Sequence, residues 1–406
     1  MSADCQSGYY CYNQGCHSKV MSVATGNTHT CAALADGRVV CWGGDYSAGH
    51  MLGDGTIHTS PVANPVLVFG MSTAKVVRAT NSATCALTTA GSVFCWGDGD
   101  QGQLGTGTNT PASGQTSYWK NAPVQVVTST GGALAGVTDL YAGAMSFCAQ
   151  TASQIYCWGD NGQGSAGYLG FDSTTYSTTI LAATPLPGAT TAGAFAMGYL
   201  FELAITASTT LHAWGDNRGE GLVVSDLAST TIYPSYSGQN VSLSSTISQV
   251  SAGSWQACLL LTNGYVQCWG YNFYGALGNG GNTDDPIPGH RTGSGISFVA
   301  THLACGTDFV CAQTSDTSNV MCWGDNDYGV ISSNTSNNKI VLPTTVALGL
   351  PIGLTVAEVV TAATSSHVCA IISDGSLMCW GRGDWMQTAT GQTTTATTPA
   401  FVKANW

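Results

Sequence analysis

Cysteine is the side chain in this sequence whose type and spacing promise chemistry. It recurs in pairs nine to eleven residues apart, Cys31/Cys41, Cys85/Cys95, Cys148/Cys157, Cys258/Cys268, Cys311/Cys322 and Cys369/Cys379, and the second member always stands directly before a Trp-Gly pair. The chemistry this suits is disulfide formation. Between the members lie dipeptides such as Asp36-Gly37, Asn263-Gly264 and Asp374-Gly375, which favour tight hairpins. Opposed residues of an antiparallel pair sit about 4.5–5.5 Å apart at Cα, within reach of a disulfide. Each pair is therefore expected to staple its own hairpin. Structural zinc would need thiolates two to four residues apart or a matching histidine pair, and neither spacing occurs here.

A seventh Trp-Gly, Trp214-Gly215, lacks the cysteines: alignment on the tryptophan puts Ala204 and Ala213 in their places. Independent ligands or reactive thiols need not vanish together, whereas the two halves of one disulfide should. Four cysteines remain, Cys5, Cys11, Cys16 and Cys305. They are enough for two further bridges in any of three pairings, and one of the two bridges would then tie the N-terminal segment to the region of Cys305.

The elements that must position these pairs follow from the seven tryptophans, which lie 54, 62, 56, 55, 54 and 57 residues apart. That period suits a four-stranded propeller blade. The second repeat shows four candidate strands, Val76-Val77-Arg78-Ala79, Cys85-Ala86-Leu87, Val93-Phe94-Cys95-Trp96 and Pro123-Val124-Gln125-Val126, apolar or alternating and bounded by Gly, Thr or Asn. A proline follows each Trp-Gly (Pro65, Pro123, Pro185, Pro234, Pro288, Pro343 and Pro399), as an outer edge strand permits. The expected fold is all-β: a seven-bladed β-propeller of four-stranded antiparallel blades over residues 20–406, preceded by a short cysteine-rich element over residues 1–19.

Stretches such as His29-Thr30-Cys31-Ala32-Ala33-Leu34, followed by Asp36-Gly37-Arg38-Val39-Val40-Cys41-Trp42-Gly43, resemble the regulator-of-chromosome-condensation repeat, as does Trp96-Gly97 leading to Gln101-Gly102-Gln103-Leu104-Gly105. The resemblance spans residues 20–406 and implies a seven-bladed propeller, the fold reached independently from the tryptophan count. It carries no single function, because the scaffold serves proteins with unrelated activities. Gly26, Gly143, Gly253 and Gly306 match the family's glycine five residues before the first cysteine, while Thr80, Tyr199 and Thr364 replace it elsewhere. The Gly-x-Leu-Gly tail is clear at Gly102–Gly105 and Gly275–Gly278 and degenerate after Trp323 and Trp380.

Sixteen cysteines, 10 Lys plus Arg and a formal charge of −12 point to an extracellular or cell-surface protein and away from nucleic acid as a partner. No run of eighteen apolar residues occurs, so no transmembrane helix is expected. Met1-Ser2-Ala3-Asp4 lacks a leader's pattern, and the chain is expected to have been processed. Asn240-Val241-Ser242 and Asn334-Thr335-Ser336 permit N-glycans at Asn240 and Asn334.

Catalytic motifs are missing: there is no nucleophile elbow, zinc-protease helix or phosphate loop, so neither an enzyme nor a cofactor is expected. His29 and His367, at repeat-equivalent places, read as structural. The Asp and Asn residues after each Trp-Gly read as turn caps, and Arg382-Gly383-Asp384, although it spells an integrin tripeptide, falls at the same turn. The expected function is a non-enzymatic protein- or glycan-binding or assembly scaffold. The rivals are a self-associating subunit of an extracellular filament or coat and a secreted enzyme inhibitor. Loops after Trp-Gly are longest before Pro123 and Pro185, so Tyr118, Trp119, Tyr168, Phe171 and Tyr176 are candidate contact residues, unless they pack their own loops.

Overall fold

The computed structural model describes residues 5–12, 15–45, 50–112, 117–162, 179–186, 193–207, 210–215, 239–242, 246–285, 292–293, 298–316, 318–389, 395–403 and 406. All its regular elements are strands. β1 (Tyr9–Tyr12) and β2 (Gly15–Ser18) form a separate hairpin. Blade one is β3 (Val20–Thr25), β4 (His29–Leu34), β5 (Val39–Gly43) and β6 (Val62–Leu67), and blade two is β7 (Ala74–Ala79), β8 (Ala83–Thr88), β9 (Val93–Asp98) and β10 (Trp119–Gln125). Blade three is β11 (Val137–Ala142), β12 (Ser146–Thr151), β13 (Ile155–Asp160) and β14 (Thr179–Pro185), and blade four is β15 (Ala194–Met197), β16 (Phe201–Ala207), β17 (Thr210–Gly215) and β18 (Gln239–Ser242). Blade five shows three strands among the described residues, β19 (Ile247–Ala252), β20 (Gln256–Leu261) and β21 (Val266–Gly270). Blade six is β22 (Ala300–Cys305), β23 (Phe309–Thr314), β24 (Asn319–Asp325) and β25 (Lys339–Ala347). Blade seven is β26 (Val356–Val360), β27 (His367–Ile372), β28 (Leu377–Gly381) and β29 (Ala396–Phe401). Each sheet is antiparallel and runs in chain order from the axis outward.

The cysteine pairs stand directly opposite one another in the middle hairpins, with Cys31 facing Cys41, Cys85 facing Cys95, and so through Cys148/Cys157, Cys258/Cys268, Cys311/Cys322 and Cys369/Cys379. All six are disulfide-bonded, with Cα atoms 4.0–4.1 Å apart.

Blade four corrects the alignment made on sequence. Leu203, not Ala204, lies opposite Ala213, and Glu202 lies opposite Trp214. Counting back from the tryptophan locates the third strand securely, but the hairpin turn varies in length and leaves the second strand's offset open. The register correction also restores the repeat's glycine, which is Gly198 and not Tyr199. A Cβ at Gly198 would overlap the Phe201 ring, just as one at Gly26 would overlap His29 and one at Gly306 would overlap Phe309.

All seven tryptophans are fully buried, and the indoles of Trp42, Trp96, Trp158, Trp323 and Trp380 each donate a hydrogen bond to the preceding blade. Trp96 Nε1 reaches the Met51 carbonyl at 2.9 Å, Trp158 that of Gln103 at 3.0 Å, and Trp323, Trp380 and Trp42 those of Ala276, Val330 and Gln387 at 2.8 Å. This explains the Gly-x-Leu-Gly tail. Leu104 and Leu277 are buried between blades, while Gly105 and Gly278, at φ +61° and +63°, lie where a Cβ would press on the next indole. The degenerate tails after Trp323 and Trp380 still supply the acceptor, because any residue has a carbonyl.

The ring closes by the same devices. Val20 N donates to Gly375 O at 2.9 Å. The Thr30 hydroxyl donates to Gln387 O at 2.8 Å and therefore accepts from His367 Nε2 at 2.7 Å. Blade one repeats the motif toward blade two, with His29 Nε2 2.8 Å from the Thr84 hydroxyl. Burial lowers His29 to a pKa of about 4 and His367 to about 3. Trp406 stacks on Trp42 with ring centroids 6.5 Å apart and donates to Ser18 O at 3.0 Å.

Of the remaining cysteines, Cys305 departs from expectation. Cys5 bonds Cys16, whereas Cys305 is a buried free thiol on β22, the axial strand of blade six. The N-terminal hairpin docks instead on blade one, where Lys19 N donates to Gly8 O and Ala35 N to Lys19 O, each at 2.8 Å. The side chain of Cys11 lies outside the described residues.

Candidate binding face

With four antiparallel strands in chain order, the turn between the first and second strands and the loop between the third and fourth emerge on one face of the ring. The outer loops are built by their own polar residues. Asp98 Oδ1 accepts from Asp100 N at 3.0 Å, Asp160 Oδ1 from Gly162 N at 2.9 Å and Asp325 Oδ1 from Asp327 N at 2.9 Å, so these carboxylates cap turns.

The third residue after the tryptophan then organises the loop. Asp45, Asn272 and Asn326 accept from Leu52 N, Leu277 N and Ile331 N, each at 2.9 Å. Where that residue is glycine, at Gly99 and Gly383, a buried glutamine four positions later takes over. Gln103 Oε1 accepts from Gln101 N at 2.8 Å, and Gln387 Oε1 from Trp385 N at 2.9 Å.

The residue five after the tryptophan is aromatic in the last three blades: Tyr274, Tyr328 and Trp385. Phe273 beside Tyr274 is 46% exposed and stands edge-on to it at 5.0 Å between centroids. Lys339 Nζ sits 3.4 Å from the Phe273 ring centroid. On the inner turns, Tyr199, 36% exposed, packs on Trp255 at 5.5 Å. Carboxylates intersperse the rings. Burial raises Asp308 and Asp325 to about 6, and the charge of Asp325 adds to the rise at Asp308. Tyr271 and Tyr274 are raised by burial first and then by neighbouring carboxylates, Asp308 among them. The result is an arc of partly exposed rings and acids across blades four to seven, held on disulfide-stapled hairpins in blades five, six and seven.

The residues singled out on sequence are placed differently. Tyr118 is buried, and its hydroxyl lies 2.8 Å from that of Thr106. Trp119 opens β10 half-buried, with its ring 3.7 Å from His50. Both pack against loops, because the outer loop folds back between blades to deliver its carbonyl to the next tryptophan. Tyr168, Phe171 and Tyr176 lie outside the described residues, as does the side chain of Asn240, whereas Asn334 is exposed. In the integrin-like tripeptide, Arg382 Nε and Nη2 pair with Asp384 Oδ1 and Oδ2 at 2.8 and 3.0 Å, so the two charges engage each other. The aromatic arc was missed on sequence, and its signal was the ring at a fixed offset after the last three tryptophans. Among the described residues no cluster of three or more His, Cys, Asp or Glu side chains forms a metal position.

Comparison with known proteins agrees with this frame. A family described as the regulator of chromosome condensation (RCC1) repeat matches residues 20–47, 75–103 and 247–276, and a second RCC1 repeat family matches residues 90–149. These matches support kinship with RCC1-type repeat proteins. The probable E3 ubiquitin-protein ligase HERC4 of Rattus norvegicus is 27% identical over 216 residues, covering 52% of this chain and 19% of that protein. Human E3 ubiquitin-protein ligase HERC2 is 32% identical over 202 residues, covering 49% of the chain and 4% of that protein. The chain thus matches a fifth or less of these curated relatives' length. Among solved structures, Prp20p of Saccharomyces cerevisiae superposes with a TM-score of 0.71 at 17% identity, covering 95% of this chain and 88% of that one. Human WBSCR16 superposes with a TM-score of 0.53 at 16% identity, covering 78% of this chain and 94% of that one.

Proposed function

We propose that this chain is a non-enzymatic, secreted or cell-surface scaffold that captures a protein partner on the face bearing the aromatic arc. The observation that carries the reading is the set of partly exposed rings, Tyr199, Trp255, Phe273 and Tyr274, on turns and loops that join the strands of a closed ring. Rigid aromatic side chains supply contact area at low entropic cost and dominate the energetics of many interfaces. Six stapled hairpins suit an oxidising compartment, and among the described residues no helix is long and apolar enough to cross a membrane. The Prp20p structure is described with binding to Gsp1p and histones, and yeast RCC1 (Prp20) with bound Kap60; protein capture on the same frame is the use carried over here. The test is affinity capture with native protein and with a Trp255→Ser/Phe273→Ser variant. Loss of the captured partner at unchanged melting temperature supports the assignment, and undiminished capture by the folded variant refutes it.

A further inference from the structure

The seven innermost strands enclose an axial cavity of about 350 Å³, within the range of small-molecule sites, about 300–1,000 Å³. Strand register sorts its wall into levels. The residues opposite the first cysteine of each hairpin, or its equivalent, include Ala24, Ala196, Ser251 and Ala304, but also Arg78 and Tyr141. Beside these small side chains, Arg78 and Tyr141 line the cavity from blades two and three, the Tyr141 ring packed on Phe195 with centroids 4.9 Å apart. Two residues earlier along the strands stand Asp139, His302 and Glu358, which also line the cavity.

These groups are largely unspent on the protein itself. Arg78 donates through Nη1 to Val77 O at 2.9 Å and weakly to the Ser22 hydroxyl at 3.5 Å. Its Nε and Nη2, the Tyr141 hydroxyl and the Asp139 carboxylate make no hydrogen bond among the described residues. Glu358 has only His302, whose Nε2 is 4.0 Å away. By contrast, Gln249 at the same level closes on the backbone of Leu303, accepting from N at 2.9 Å and donating to O at 2.8 Å. At neutral pH, with His302 held neutral by burial, the wall presents one cation and two carboxylates. That array is complementary to a molecule with one anionic and two cationic groups.

We propose that the axial cavity binds a small basic α-amino acid, its carboxylate on Arg78 and the Tyr141 hydroxyl and its two ammonium groups on Asp139 and Glu358. Arginine is suited to bidentate carboxylate recognition, and removing one charge-assisted hydrogen bond from such a site costs about tenfold or more in affinity. This site is separate from the aromatic face and does not depend on the partner proposed there.

Isothermal titration with L-lysine, with acetate and with 1,5-diaminopentane tests it on the whole chain at low ionic strength. The expected result is saturable one-to-one binding of L-lysine, at least tenfold tighter than either fragment and weakened at least tenfold by Arg78→Gln and by Glu358→Gln. Asp139→Asn, which alters an exposed and unpaired carboxylate, serves as a third variant should either of the others fail to fold. Absence of saturable lysine binding, as for a cavity filled with water alone, overturns the proposal. So does an affinity that the folded variants leave unchanged.

Discussion

Blade two and blade four solve the same packing problem with different chemistry. In blade two the middle hairpin is closed by Cys85–Cys95, and Thr84, opposite Trp96, receives His29 from blade one. In blade four Leu203 faces Ala213 at the staple position and Glu202 faces Trp214. All four of these blade-four residues are buried. An apolar pair can therefore replace a disulfide inside the same frame, which shows that the staple is not what specifies the blade. What it adds is restriction of the unfolded chain, worth at most about 3 kcal/mol for so short a loop. Glu202 is the anomaly: Oε2 has no hydrogen-bond partner among the described residues, and burial drives its pKa well above the ordinary carboxylate value.

The largest effect is expected from what the two blades share. Trp96→Ala and Trp214→Ala should each cost on the order of 3–5 kcal/mol by the loss of a buried large side chain, measured by denaturant unfolding. A loss at Trp214 well below that at Trp96 would mean that the bare blade is also poorly packed.

Transplanting the difference comes next. Cys85→Leu with Cys95→Ala copies blade four into blade two and should lower stability by about 2–3 kcal/mol while preserving the fold. Cys95→Ala alone should be worse, since it leaves an orphan thiol. A double variant that does not fold would break the claim that the frame precedes the staple.

Acid should act in opposite directions on the buried groups of the two regions. His29 and His367 have folded pKa values below the unfolded value. Their stabilisation is complete above about pH 6.5 and is lost as pH falls through 6.5 toward 4 and 3. Glu202 has a raised folded pKa, so its contribution is present below the unfolded value and lost as pH rises toward the folded one. Denaturant unfolding at pH 5 and pH 7.5 isolates these groups from the raised Asp45 and Asp98 and the lowered His212: the stability lost on acidification should shrink in His29→Gln, and that lost on alkalinisation should shrink in Glu202→Gln. A pH response left unchanged in both variants would remove Glu202 and His29 from the account.

Much of this was legible in the sequence because the repeated features answer to local geometry. A cysteine nine to eleven residues before a Cys-Trp-Gly can only face it across a hairpin, and a tryptophan every 54 to 62 residues sets the blade. The features that stayed hidden depend on neighbours distant along the chain. Tyr118 looked like a loop aromatic free to make contacts, yet it is buried because its loop turns inward to serve Trp158. Cys305 looked like a partner for the N-terminal cysteines, yet it sits on an axial strand that the hairpin does not approach. The exchange between an asparagine three residues after the tryptophan and a glutamine seven after it is invisible until both are seen to hold the same loop. Arg78, Asp139 and Glu358 belong to three different repeats, and only ring closure brings them around one cavity.

The frame is tested most directly by peptide mapping of native, non-reduced protein. The account predicts Cys31–Cys41, Cys85–Cys95, Cys148–Cys157, Cys258–Cys268, Cys311–Cys322 and Cys369–Cys379, together with Cys5–Cys16 and an unbridged Cys305. Any bridge joining two blades, or hairpin cysteines recovered as free thiols from the native source, would contradict it.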